Sequence, residues 1–190
     1  MNKTFRIVFI GLLASQALAL YAVESMIPVP FIAPGAKLGL ANLITVVALY
    51  TLESKKDVFL VILLRLLLAT MIGGTLSTFI YSVAGAILSY LAMVFVKESL
   101  KDKVSIIGVS AAGAFFHNVG QLIVASAMVE NIAIMLYLPI LSLTGITTGI
   151  FIGITSNFIV KHLSKLTYFN QLKVKNYELR VKEEKPDAFQ

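Results

Sequence analysis

The chain has 190 residues, of which 58% are hydrophobic and only 14% charged, with a formal net charge of +6 and no cysteine. A soluble domain carries about 25% charged residues; here the apolar excess is gathered into long runs between short charged clusters, the pattern of a polytopic membrane protein with no room for a second globular domain. The missing cysteines exclude disulfides, thiolate catalysis and cysteine-held metals.

Six apolar spans are predicted, at about 5–27, 38–53, 57–73, 75–96, 104–129 and 134–161. The first follows Lys3 and Arg6 and contains Ala17-Leu18-Ala19, which together look like a secretory signal and its cleavage site. A retained helix is the preferred reading, because removing it would reverse the topology of all that follows. Gly11, Ser15 and Ala19 recur every four residues on this span and permit close helix approach. Pro28, Pro30 and Pro34 then force a loop.

The second span opens with Pro34-Gly35-Ala36-Lys37-Leu38-Gly39-Leu40-Ala41-Asn42. A helix start with free amides, glycines and the full charge of Lys37 is suited to seizing an anionic head group; a plain turn with one exposed lysine is the alternative. The third span carries Arg65, about 12 Å deep at the helical rise. An intramembrane arginine is costly and faces a cavity or a partner, so Arg65 is read either as a ligand-holding cation or as a snorkelling or ion-paired structural one.

Gly73-Gly74 makes a tight turn into the fourth span, and the charged stretch from Lys97 to Lys103 separates it from the fifth. The fifth contains Phe116-His117-Asn118-Val119-Gly120-Gln121. His117 and Gln121 share a helix face with Asn118 beside them, and in lipid such groups must be satisfied by protein, water or ligand. The options are a ligand cavity and interhelical hydrogen bonding. Glu130-Asn131 marks the last turn, and Gly145, Gly149 and Gly153 form a small-residue stripe on the sixth span. The tail from about Thr167 is polar and Lys/Glu-rich.

Threading six spans places fourteen of the 16 cations on one side, leaving Lys37 on the other and Arg65 within a span. The positive-inside rule then puts both termini in the cytoplasm. The basic charge is thus topology and contact with anionic membrane lipids, not nucleic-acid binding.

Absences narrow the function. There is no Gly-x-x-x-x-Gly-Lys-Ser/Thr sequence, so no P-loop nucleotide site, and Asp57, Asp102 and Asp187 are isolated, so no aspartate-rich magnesium–diphosphate motif exists. No Ser/His/Asp constellation is visible, and His117 and His162 do not make a metal site. Neither catalysis nor a cofactor is expected.

The Pro34–Asn42 stretch, the mid-span Arg65 and the Phe116–Gln121 stretch together resemble a membrane family described as heptaprenyl diphosphate synthase component I, or Gx transporter. That family looks like the substrate-binding S components of energy-coupling factor (ECF) transporters. The resemblance implies a six-helix subunit that takes a vitamin or metabolite from outside and is powered by a coupling membrane subunit and a pair of ABC ATPases. It also implies that small residues of the first helix meet the coupling subunit, here Gly11, Ser15 and Ala19, or in the other register Ala14 and Leu18.

The expectation is therefore an all-α integral membrane protein. Residues 1–166 form a six-transmembrane-helix bundle and 167–190 a cytoplasmic tail, in a multi-pass protein of the cell membrane. It is read as the binding subunit of an importer for a small vitamin-, quinone- or isoprenoid-like metabolite. Lys37, Asn42, Arg65, His117, Asn118 and Gln121 are the candidate ligand-binding residues. The rivals are an accessory subunit of isoprenoid or quinone synthesis and a stand-alone facilitator.

Overall fold

A run of apolar residues folds as helix wherever its backbone polar groups must be satisfied internally, and the described residues follow that rule. The computed structural model describes residues 3–26, 39–73 and 75–166, which are helical with no strand. Six α-helices succeed one another: α1 (Lys3–Met26), α2 (Asn42–Thr51), α3 (Lys55–Gly73), α4 (Leu76–Leu100), α5 (Ile106–Met128) and α6 (Leu138–Leu163). Short 3-10 turns at Lys101–Lys103 and Ile132–Tyr137 precede α5 and α6.

The helix starts have local causes. At α4 the Thr75 hydroxyl accepts from the Thr78 N–H at 3.2 Å, while the Thr78 hydroxyl accepts from the Thr75 N–H at 2.9 Å, a reciprocal cap. Ser105 caps α5 by accepting from the Gly108 N–H at 3.2 Å. Pro139 lies in the first turn of α6, where its missing N–H costs nothing.

Four segments are long and apolar enough to cross a membrane: α1, α4, α5 and the continuous stretch Ile132–Leu163. The second and third predicted spans are different. α2 has 10 residues, or about 15 Å of rise, half of a ~30 Å hydrocarbon core. It is buried on nearly every side (Asn42 and Ile44–Leu49), as a helix apolar all round should be. α3 has 19 residues but includes Lys55, Lys56, Asp57 and Arg65. Its inward stripe is Val58, Val61, Ile62, Arg65, Leu66 and Ala69, a helical repeat that carries the arginine into the interior; Phe59, Leu60, Leu63 and Leu67 face outward.

α5 is central, packed most extensively on α4 and α6. The seams are made by small residues. A Cβ placed on Gly149 would lie 2.8 Å from the Ala111 Cα, and one on Gly153 2.6 Å from the Ile107 Cα. The stripe on the sixth helix is therefore consumed inside the chain. On α1 the faces divide: Leu13, Ala14 and Ala17 enter the core, whereas Gly11, Ser15 and Ala19 face outward.

Polar ties gather at one end of the bundle. Arg6 pairs with Asp57, joining α1 to α3, and Lys55 pairs with Glu98, joining α3 to α4. The Tyr90 hydroxyl donates to the Lys55 carbonyl at 2.8 Å, and Lys97 Nζ donates to the Leu49 carbonyl at 2.6 Å, tying α4 to α2. The exposed Lys55–Glu98 pair is worth little by itself, about 0–1 kcal/mol; Asp57 is buried, and its pairing with Arg6 is what makes that burial affordable.

Candidate functional site

Away from those ties, a small cavity of about 30 Å³ lies among the other ends of α1, α3 and α4 and the middle of α5. That volume holds two or so water molecules. α1 contributes Tyr21 and Glu24, the turn before α2 contributes Gly39 and Ala41, and α3 contributes Arg65, Ala69 and Thr70. Thr78 and Ser82 come from α4, and His117 and Gln121 from α5.

The strong polar groups here are deeply buried: Glu24 is 3%, Arg65 6%, His117 6% and Gln121 7% exposed. Each is brought in by helical phase. Arg65 lies on the inward stripe of α3, and His117 and Gln121 are one turn apart on the inner face of α5. The imidazole packs on the backbone of Gly85, where a Cβ would lie 2.9 Å from the His117 Cε1. No hydrogen bond of acceptable geometry reaches His117 Nδ1, although the Gly85 backbone is near.

Glu24 alters the chemistry expected from the sequence. It interacts electrostatically with Arg65, and its Oε1 accepts the Gly39 N–H at 2.5 Å. Gly39 has φ +84, a left-handed conformation that favours glycine, and it presents its amide to the carboxylate just before α2 begins. The positive end of α2, read as a place for an external anion, is thus met by a carboxylate of the chain itself. One buried cation and one buried anion leave the cavity close to neutral, with donors and acceptors on several sides.

The remaining expected residues lie elsewhere. Asn118 is buried but turned toward α6, where its Nδ2 donates to the Leu141 carbonyl at 2.6 Å; it also fills the space at Gly145, where a Cβ would collide with it. Asn42 is buried in the first turn of α2, its N–H donating to the Gly39 carbonyl at 2.8 Å, and is not on the cavity wall. Lys37 lies outside the described residues. The sequence reading missed Glu24, Tyr21, Thr70, Thr78 and Ser82. For Glu24 a signal was present: an acid inside one apolar span and an arginine inside another invite pairing, since neither is tolerable alone. Among the described residues no cluster suited to holding a metal ion is found.

These placements separate two neighbours on α5. Asn118→Ala removes one interhelical hydrogen bond, worth about 0.6 kcal/mol in a membrane bundle. A thermal melt in mild detergent is expected to show a drop of only a few degrees, and a large loss would mean that Asn118 holds more than the Leu141 carbonyl.

A family model described as heptaprenyl diphosphate synthase component I matches residues 13–159. The chain belongs to this family. The matched stretch runs from α1 to α6 and includes every helix that contributes to the cavity. Neither the curated proteins nor the solved structures contain a match.

Proposed function

We propose that this member of the family is a substrate-binding membrane subunit of an importer, capturing a small vitamin-, quinone- or isoprenoid-like metabolite and relying on partner ATPases for energy. The observation that carries the reading is the cavity itself. Glu24, Arg65, His117 and Gln121 converge on one cavity inside a largely apolar bundle, where buried polar groups are expensive and mark a binding site by default. The near-neutral balance of Arg65 against Glu24 favours a head group that both donates and accepts hydrogen bonds, such as a carbonyl, amide or zwitterion, over a free anion. At about 30 Å³ the cavity is closed down, so ligand entry requires the helix ends around it to part.

In this reading all six helices lie in the cell membrane as a multi-pass domain over residues 1–166, with 167–190 as a cytoplasmic tail. The short α2 is carried inside the bundle and does not meet lipid on its own. Both termini are cytoplasmic, because the tied end collects Arg6, Lys55 and Lys97. The cavity then opens toward the outer side. The outward-facing Gly11, Ser15 and Ala19 of α1 offer a partner helix a smooth surface, whereas Ala14 faces the core. The chain itself is a binding subunit and not a catalyst.

A second reading has one observation in its favour, the description of the matching family. As a component of a prenyl diphosphate synthase, the chain would be a membrane accessory to isoprenoid or quinone synthesis, with catalysis in its partner. A pull-down of the tagged protein from its native membrane in mild detergent, with mass spectrometry of what copurifies, separates the two. Two ABC-type ATPases and a coupling membrane protein are expected. A prenyl synthase in their place, with no ATPase, sinks the importer reading in favour of the accessory one.

A further inference from the structure

The two halves of α1 are held differently. Toward the tied end its inward stripe is apolar: Phe9, Ile10, Leu13, Ala14 and Ala17 are buried, and Arg6 adds its pair with Asp57. Beyond Ala17 the next buried residue is Glu24. Leu20 and Tyr21 between them are half-buried, and Ala22, Val23, Ser25 and Met26 are exposed. The cavity end of α1 is therefore held chiefly by a carboxylate, acting on Arg65 and on the Gly39 N–H.

The other walls have no such weak half. On α3 the buried stripe continues from Val58 to Ala69, past Arg65 and along the cavity. α4 and α5 meet with Gly120 against the backbone of Ala84 and Gly85, and α2 is enclosed on nearly every side. α1 lies at the edge of the bundle: it packs on α3 and α2 and, among the described residues, forms no comparable seam with α4, α5 or α6. Polar contacts are also readily exchanged for water at this place. Glu24 lies two residues before the last residue of α1, so a released carboxylate passes to water at the helix end and is not stranded in hydrocarbon. Water entering the opened cavity solvates Arg65 in the same movement.

We propose that the cavity end of α1 is the moving wall of the site and that Glu24 is the latch that closes it. The apolar half of α1 and the Arg6–Asp57 pair stay in place and act as the hinge. Glu24 lies about 27 Å along the helix from Arg6 at the helical rise, so a tilt of about 10° carries it about 5 Å, enough to part both of its contacts. This latch presupposes that the cavity is a binding site, the reading given above, and names the wall that opens and the group that holds it shut.

The chain has no cysteine, so spin labels attach only where cysteines are introduced. Val23→Cys on α1 with Ile123→Cys on α5 reports on the cavity end, and Val8→Cys on α1 with Phe95→Cys on α4 on the tied end; all four sites are exposed. Full-length protein in nanodiscs is measured by double electron–electron resonance in three backgrounds: the parent, Glu24→Gln, which removes the charge of the latch, and Glu24→Ala, which also removes the acceptor for the Gly39 N–H. The cavity-end pair should gain a component longer by about 5 Å, more populated in Glu24→Ala, while the tied-end pair stays unchanged. Should Glu24→Ala fail to fold, Glu24→Gln carries the test with a second readout. Ala69→Cys, on the α3 wall of the cavity and 6% exposed in the parent, should react several times faster with a membrane-impermeant thiol reagent when Glu24→Gln is present. An unchanged cavity-end distance, an unchanged reaction rate, or lengthening of both pairs alike overturns the latch. A static α1 in a protein that copurifies with ABC-type ATPases overturns the latch alone, whereas a swinging α1 in a protein that copurifies with a prenyl synthase overturns the importer reading alone.

Discussion

Arg65→Gln will destabilise the bundle by on the order of 3 kcal/mol, the largest single effect expected in this protein, because it leaves a carboxylate in an apolar interior without its opposite charge. Glu24 is 3% and Arg65 6% exposed, and the two interact across the same small cavity. Glu24→Gln is the complementary change. A glutamine oxygen can still accept the Gly39 N–H, so this variant removes the charge and leaves the hydrogen bond. The double variant should lose clearly less than the two single losses added together, since each half of the pair is harmful chiefly in the absence of the other. Melting or denaturant unfolding in one fixed detergent measures all three. Additive losses, or single variants as stable as the parent, would show that the two charges are solvated independently and that the cavity is wet enough to need no pairing.

The second large effect is steric. A Cβ on Gly120 would stand 2.6 Å from the Ala84 carbonyl oxygen and 3.0 Å from the Gly85 Cα. These are backbone atoms of α4, which cannot rotate away as a side-chain tip can. Gly120→Ala must therefore push α5 off α4, at a cost of about 1–3 kcal/mol for overpacking a well-filled seam. It also shifts His117 and Gln121, which flank Gly120 on α5 and line the cavity. The internal control is Gly11→Ala, whose new methyl meets nothing within 4 Å and which should be neutral or stabilising by about 0.5–1 kcal/mol, the usual gain from replacing a helical glycine. A Gly120→Ala protein as stable as the parent would mean that the α4–α5 seam is looser than its geometry.

The order and rough limits of the helices were legible in the sequence because breaks in hydrophobicity and helix-breaking residues are local signals. Glu53-Ser54 and Lys101–Lys103 fall between α-helices as expected, whereas Lys55–Asp57 open α3, Lys97 and Glu98 belong to the end of α4, and Gly73 closes α3; the prolines after Met26 and Gly74 lie outside the described residues. α2 was the exception. Its expected start near residue 38 gives way to Asn42, because Gly39 turns left-handed to present its amide to Glu24, and no local pattern reports a partner fifteen residues away. The inward phase of Arg65, His117 and Gln121 followed from helical period, so their meeting on one cavity was within reach of the sequence. Asn118 was harder. It is adjacent to His117, but one residue is a rotation of about 100°, enough to aim it at α6 and the Leu141 carbonyl.

The polar ties have a mechanical meaning. Arg6–Asp57, Lys55–Glu98 and the bonds from Tyr90 and Lys97 all act at one end of the helices. Rods fastened at one end behave as tongs: the fastened end is the pivot, and any spreading grows with distance from it. The small cavity lies toward the jaws, so the ties hold firm where they fasten and leave the helix ends around the cavity the freest to part.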